Sequence, residues 1–459
     1  MSASHKAIGA CVDQRGNNRL LFGIFFGLIA GILFGTFWMG HRASLIEHEI
    51  LLDSPALMGT ELDQAVFEQA SRGHDYRMVK LLGDLFINAL RMLVVPLVFF
   101  SMATGIAHLG DVRHIGRTGR NTILFFFLST SVAVLLGLLF VNLVEPGLGS
   151  DISQADSPLS GKIRDRHLSV YDVVSGLVPS NIIKAMAEMD ILPVILFSLA
   201  FGGILTTLGE KGQLVLQVAD GCNQAILKMV QFVVSLAPVG IFGLVGTKVG
   251  EEIIRGDIGE ELEKLGKYIL SVELGLLVHG FIILPLIFFG ITRRNPFQFI
   301  RESMEALLTA FSTASSSATL PVTLKCVEFN SGLSPRYAGF VLPLGATINM
   351  NGTALYEAVA AMYVAQATGV DLGLYHQFLI FLTATLAAIG APGIPEAGLV
   401  TMVVVFEAVG LDPIHIGALL SVDWFLDRCR TTINVWGDMV GTAVIQTLDR
   451  GSNGNHEIS

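Results

Sequence analysis

Six stretches of the chain, at residues 20–39, 81–108, 123–144, 191–208, 225–249 and 268–291, are almost uninterrupted runs of apolar side chains. A bilayer's hydrocarbon core is about 30 Å thick and takes about 20 such residues to cross as a helix. Inside lipid only helices and closed barrels satisfy their own backbone, so runs of this length restrict the fold more than any other feature. The first run is too long for a signal-peptide core. Gly40-His41-Arg42 behind it is a poor cleavage site, so it is expected to remain as a span. Composition agrees: 52% of the 459 residues are hydrophobic and 15% charged, whereas soluble domains run at about a quarter charged. The same proportions argue against disorder. A net charge of -10 with no basic stripe gives nucleic acid nothing to bind. Cys11, Cys222, Cys326 and Cys429 are scattered, without disulfide or zinc spacing.

The chain changes character near residue 296. Residues 337–367 are apolar but carry Asn349, Asn351 and Glu357, and residues 416–445 carry Asp423, Asp427, Arg428, Arg430 and Asp438. Two further apolar segments are interrupted at 312–321 and 390–398, and each half is too short to span. Two re-entrant helix–turn–helix hairpins are the simplest reading, with their non-helical backbone buried in protein or lining a cavity. Lys6, Arg15 and Arg19, then Arg113, Arg117 and Arg120, then Arg293 and Arg294 fall on one side if the N-terminus is cytoplasmic. Eight spans return the C-terminus to the same side. Residues 41–80 read equally as an amphipathic surface helix or as a solvated linker.

Asp423, Asp427, Arg430, Asn434 and Asp438 are spaced 4, 3, 4 and 4. At about 100° per residue they share an arc of roughly 80° on one helix face. Each charge at mid-bilayer costs about 2.5–3.5 kcal/mol, so the stripe must face protein, water or ligand. It reads either as internal ion pairing or as a ligand site. For a ligand, Arg430 offers a planar fork matched to a carboxylate, and Asp427, a turn away, suits an ammonium group. Asn434 and Asp438 supply oxygens of the kind that hold a hard cation. Glu357, a lone carboxylate in an apolar run, is a candidate proton carrier or a buried structural glutamate. Asn349, Asn351 and Thr353 around Gly352 suit an unwound helix or, equally, a kink. Ser315-Ser316-Ser317 and residues 390–395 occupy the hairpin tips, where helix N-termini favour anionic groups. No nucleophile–base constellation is visible, so no enzyme is expected. His279, flanked by apolar residues, reads as a core residue.

Four motifs carry a resemblance: SSSATLP at 315–321, LPLGATINMNGTALYEA at 342–358, GIPEAGLVTM at 393–402 and DWFLDRCRTTINVWGD at 423–438. With them the chain resembles the dicarboxylate/amino acid:cation symporters, the glutamate transporter family. The resemblance implies an all-α membrane protein of eight transmembrane helices and two re-entrant hairpins, with inverted repeats and an elevator mechanism. Its implied layout is a cytoplasmic tail at 1–19, scaffold helices 1–2 at 20–108 and 4–5 at 168–250, and a transport domain. That domain takes helix 3 at 122–145, helix 6 at 265–292, hairpin 1 at 296–330, helix 7 at 336–368, hairpin 2 at 375–410 and helix 8 at 415–447. A cytoplasmic tail follows at 448–459. The implied protein is a homotrimer in lipid of the cell inner membrane, importing L-glutamate or L-aspartate with sodium, protons or both, and holding no cofactor. A C4-dicarboxylate symporter, or an anion channel with vestigial transport, is the alternative.

Carried over by position, the substrate shell is Ser315, Ser316, Thr353, Ile394, Gly398, Asp427, Arg430, Thr431 and Asn434. One sodium site is implied at Gly345, Asn349, Asn434 and Asp438, and a second at Thr347, Ala388, Ile389 and Ala391. Glu357 matches the position of a proton carrier. Three departures stand out. Asn351 replaces the family's usual aspartate and Phe126 its usual tyrosine, which argues against a third sodium at Ser129, Thr130 and Asn351. Ala314 stands where archaeal members place an arginine, and Arg428 carries that charge instead. Glu396 occupies the second hairpin tip where relatives have glutamine or glycine.

Overall fold

The computed structural model describes residues 22–53, 58, 60–107, 117–148, 178–255, 258–391, 393 and 395–453, and no strand occurs among them. The longest helices are α1 (Phe22–Leu52), α2 (Thr60–Ser71), α3 (His74–Ala107), α4 (Arg117–Val144), α5 (Ile191–Leu205), α6 (Glu210–Ser235), α7 (Ala237–Arg255) and α8 (Leu262–Thr292). They are followed by α9 (Pro296–Thr313), α10 (Ser316–Lys325), α11 (Pro335–Ile348), α12 (Asn351–Ala367), α13 (Leu374–Gly390), α14 (Ala397–Ala408) and α15 (Ile416–Asn453). Among the described residues α1, α3, α4 and α8 are long and apolar enough to cross a bilayer. The implied N-terminal tail, Lys6, Arg15, Arg19 and Arg113 lie outside the described residues.

Several boundaries differ from expectation. The span expected at 225–249 is two helices, α6 and α7, bent by 50° at Leu236. Pro238, two residues on, has no N–H to donate, and its ring crowds the preceding turn. Taken as one bent element, the pair is a fifth candidate span. The element at 191–208 is a 15-residue helix, short for a crossing. The described residues within 41–80 are mostly helical: α1 runs past Gly40, and α2 and the start of α3 follow. Arg42 bonds Asp75 at 2.9 Å and ties the end of α1 to the start of α3. The expected single helix at 336–368 is broken. Asn349 (φ -120, ψ 65) and Met350 (φ -99, ψ 64) leave helical geometry, which decides for unwinding over a kink.

Contacts divide the chain into two compact units. The first comprises Met1–Met92, Met229–Lys267 and Pro413–Trp424. In it α1 packs on α7 through close glycine contacts, such as Gly31 against Gly246. Small residues of this kind let helix backbones approach where lipid removes the hydrophobic drive.

The second unit comprises Leu93–Lys228, Tyr268–Asp412 and Phe425–Ser459. At its centre is α12, every residue of which from Asn351 to Ala365 is buried. A helix apolar all round belongs in an interior, and α4, α13 and α14 pack around this one. Nearby, Phe288 of α8 stacks on Phe299 of α9 at 4.6 Å, and Phe299 lies 5.4 Å from Trp436 of α15. The pairs α9–α10 and α13–α14 each pack as a helix–turn–helix. Ala314 (φ 51) turns the first, and the second returns through Glu396 (φ 59).

Candidate functional site

The stripe predicted from spacing lies on α15, a continuous helix of 38 residues. Asp427, Asn434 and Asp438 are buried and Arg430 is wholly so. Asp423 is also buried but belongs to the first unit. Arg430 Nη2 donates to Asp427 Oδ1 at 2.8 Å. The guanidinium carbon lies 3.8 Å from the Tyr356 ring centroid, a cation–π distance. Gly398 of α14 abuts the same group, since a β-carbon there would come within 2.8 Å of Nη1. The second Asp427 oxygen accepts the Glu396 N–H at 3.0 Å. That bond holds Glu396 in a left-handed conformation that costs a non-glycine residue roughly 1–2 kcal/mol.

The sequence left internal ion pairing and a ligand site both open for this stripe, and the structure bonds guanidinium and acid to one another. At a spacing of three they share a helix face, and a buried guanidinium requires an anion within reach. Asp427 engages one nitrogen of a fork that has five N–H donors.

One turn on, Asn434 Oδ1 accepts the Gly352 N–H at 2.7 Å, and its Nδ2 donates to Thr353 Oγ1 at 3.2 Å. The first N–H groups of a helix have no internal partner, and Asn434 supplies one for α12. Only glycine permits this approach: a β-carbon at 352 would lie 2.6 Å from the Arg430 carbonyl oxygen. Glu357, completely buried, accepts a hydrogen bond from Thr401 Oγ1 of α14 on Oε1, and its Oε2 has no hydrogen-bond partner among the described residues.

A further turn along α15, Asn349 Nδ2 donates to Asp438 Oδ1 at 2.8 Å, and Gly345 abuts the same carboxylate. The Asn349 Oδ1 is buried and has no hydrogen-bond partner among the described residues. An orphan oxygen beside a carboxylate suits a hard cation. Of the predicted set, Gly345, Asn349 and Asp438 come together, while the Asn434 oxygen is engaged by Gly352. In the other predicted set, Ala388 and Ala391 are buried at the end of α13, where helix carbonyls lack internal donors. Thr347 is exposed and donates to the Leu344 carbonyl at 2.9 Å. Ile389 lines a cavity of about 950 Å³ with Phe126, Thr130, Ile348 and Thr385.

The two hairpin tips are bonded to each other. Ser315 Oγ donates to the Gly393 carbonyl at 2.7 Å, and the Ser317 N–H donates to the same oxygen at 3.1 Å. Ser315 also caps α10 by accepting the Ala318 N–H. Ser316 and Thr431 are buried, and Ile394 lies outside the described residues. Tyr356, Thr401 and the Gly393 carbonyl were missed by sequence reasoning. Each lies inside a quoted motif, but only tertiary packing aims Tyr356 at Arg430, Thr401 at Glu357 and the Gly393 carbonyl at Ser315 and Ser317.

A family model described as the sodium:dicarboxylate symporter family matches residues 20–448. The chain belongs to this family. It is a multi-pass membrane protein of a transporter family, not an enzyme. Among its relatives, human excitatory amino acid transporter 3 is 36% identical over 417 residues, covering 80% of this chain and 79% of the relative. Excitatory amino acid transporter 1 of Ambystoma tigrinum is 36% identical, covering 80% and 77%. The Rattus norvegicus excitatory amino acid transporter 1 is 36% identical over 461 residues, covering 89% and 84%. As in the sequence reading, this family member has Asn351 in NMNGT, Ala314 at the first tip and Glu396 at the second.

Proposed function

We propose that the chain is a secondary active symporter that imports acidic amino acids, L-glutamate or L-aspartate, driven by sodium, protons or both. The observation that carries this reading is the buried Arg430–Asp427 pair beneath the second hairpin, with Gly398 against the guanidinium. Arg430 receives the side-chain carboxylate of the substrate, and Asp427 exchanges the Glu396 N–H for the substrate ammonium. The Asp438–Asn349 group holds sodium. Glu357, bonded to Thr401, carries the proton. A charge carried inward gains about 2.3 kcal/mol per 100 mV, enough to drive accumulation. The reading includes a homotrimer in the inner membrane, termini in the cytoplasm and an elevator movement of helices 3, 6, 7 and 8 with both hairpins. Excitatory amino acid transporters among the relatives support the substrate class, and the family description supports sodium.

Uptake of radiolabelled L-glutamate and L-aspartate into proteoliposomes, with sodium, proton and potassium gradients imposed one at a time, tests it. Absence of gradient-driven accumulation of both would refute it. A C4-dicarboxylate substrate is the second reading. It is favoured by Asp427 already being satisfied by Arg430 and a backbone N–H, so that no amine is required to neutralise it. Competition by succinate and not by aspartate would select it.

A further inference from the structure

Four polar side chains, none more than 2% exposed, meet within the second unit. Ser129 and Thr130 come from α4, His279 from a π-helical turn of α8, and Asn351 from the first residue of α12. Thr130 Oγ1 donates to Asn351 Oδ1 at 2.7 Å. Asn351 Nδ2 donates to Ser129 Oγ at 2.7 Å and lies 3.2 Å from His279 Nε2. With Nε2 accepting, the ring proton sits on Nδ1 and both amide protons are used. The π turn that aims His279 inward is itself pinned, because Trp436 Nε1 donates to the Gly280 carbonyl at 2.9 Å. Such turns insert an extra residue and re-aim side chains, often at functional positions.

The chemistry of this cluster opposes a cation. Hard cations gather oxygen ligands, carboxylates above all, and a buried positive charge needs a nearby anion. Among the described residues no carboxylate bonds to this cluster, and the amide nitrogen already occupies the point where the Ser129 oxygen and the His279 nitrogen converge. We propose that the Asn351 carboxamide, held in orientation by His279, closes this cluster to cations. The coupling ions therefore use other groups, the Asp438–Asn349 pair among them. His279 acts as a positioning residue, through Asn351. This inference rests on the cation-coupled reading above, but its test needs no substrate.

The melting temperature of the purified full-length chain is followed against sodium at constant ionic strength, without amino acid. Ser129→Ala and Thr130→Val are expected to lower the melting temperature and to leave the midpoint of the sodium response unchanged. Asn351→Asp is expected to steepen that response, or to create one should the native chain show none. His279→Leu is expected to shift the midpoint, because a released amide can turn its oxygen inward, and His279→Gln to restore it. A midpoint raised about tenfold or more by Ser129→Ala or Thr130→Val, the scale of a lost metal-site contact, would overturn the proposal. So would an unchanged response in Asn351→Asp. Native behaviour in His279→Leu would remove the positioning role. Should Asn351→Asp fail to fold, the near-isosteric Ser129 and Thr130 variants still decide. Failure of aspartate to bind in a separate titration bears on the transport reading alone.

Discussion

Two polar clusters flank the break between α11 and α12, and they are buried alike but built from opposite chemistry. Around Asn434 stand ionisable groups: Asp427, Arg430, Glu357 and Asp438. Around Asn351 stand only hydroxyls, an amide and an imidazole. In the neutral cluster each amide group of Asn351 has a partner. In the charged one, oxygens of Glu357 and Asn349 are left over. Buried polar groups without partners cost roughly 1–3 kcal/mol each, a cost that a visiting ligand or ion can offset. The neutral cluster locks three helices together with a nitrogen, His279 Nδ1, left over, while the charged one leaves over oxygens, the atoms that suit a visiting cation or proton.

The largest effect should come from Arg430→Cys, which leaves Asp427 buried without its cation. Breaking a buried pair on one side costs about 3–5 kcal/mol, so the melting temperature should fall sharply. Uptake of acidic substrates should vanish while small neutral amino acids gain entry. Unaltered aspartate affinity in this variant would remove the carboxylate role. Gly352→Ala should follow. Its β-carbon meets the α15 backbone and forces the helices apart, costing about 1–3 kcal/mol as overpacking does. Denaturation of the solubilised protein measures it, and a neutral result would mean that α12 can shift freely. Glu357→Gln keeps the shape and the Thr401 bond, so stability should change little. Transport should lose its response to an imposed proton gradient, and wild-type accumulation under that gradient would be evidence against the proton role. The smallest effect belongs to Arg42→Ala. Its pair with Asp75 is partly exposed, and such pairs contribute about 0–1 kcal/mol. A larger loss in salt-matched melts would show that the link between α1 and α3 is more than a surface contact.

Much of this was legible in the residues. The apolar runs marked most of the long helices, and the interruptions at 312–321 and 390–398 marked both helix–turn–helix pairs. The 4, 3, 4, 4 spacing placed Asp427, Arg430, Asn434 and Asp438 on one buried face because helical periodicity is a property of the chain itself. Asn349 and Asn351 flagged the break in the middle of the expected seventh helix. His279 was illegible as a partner: an isolated histidine in an apolar run looks the same whether it faces alkyl groups or an amide. Tyr356 beneath Arg430 and Thr401 on Glu357 were hidden for the same reason, since each contact joins residues from different helices. The bend at Leu236 was missed because hydropathy continues through it while the Pro238 backbone does not.

What the linear order of residues determined is the set of helices, their apolar character and the face on which charge is gathered, because these depend on neighbours within a few positions. What only the tertiary structure decided is the pairing. Asp427 answers the hairpin backbone, Asn349 answers Asp438, and Asn351 answers three neutral groups from two other helices. Hydrogen bonds reach about 3 Å, and contacts that short between residues 31 to 222 positions apart exist only once the helices have packed.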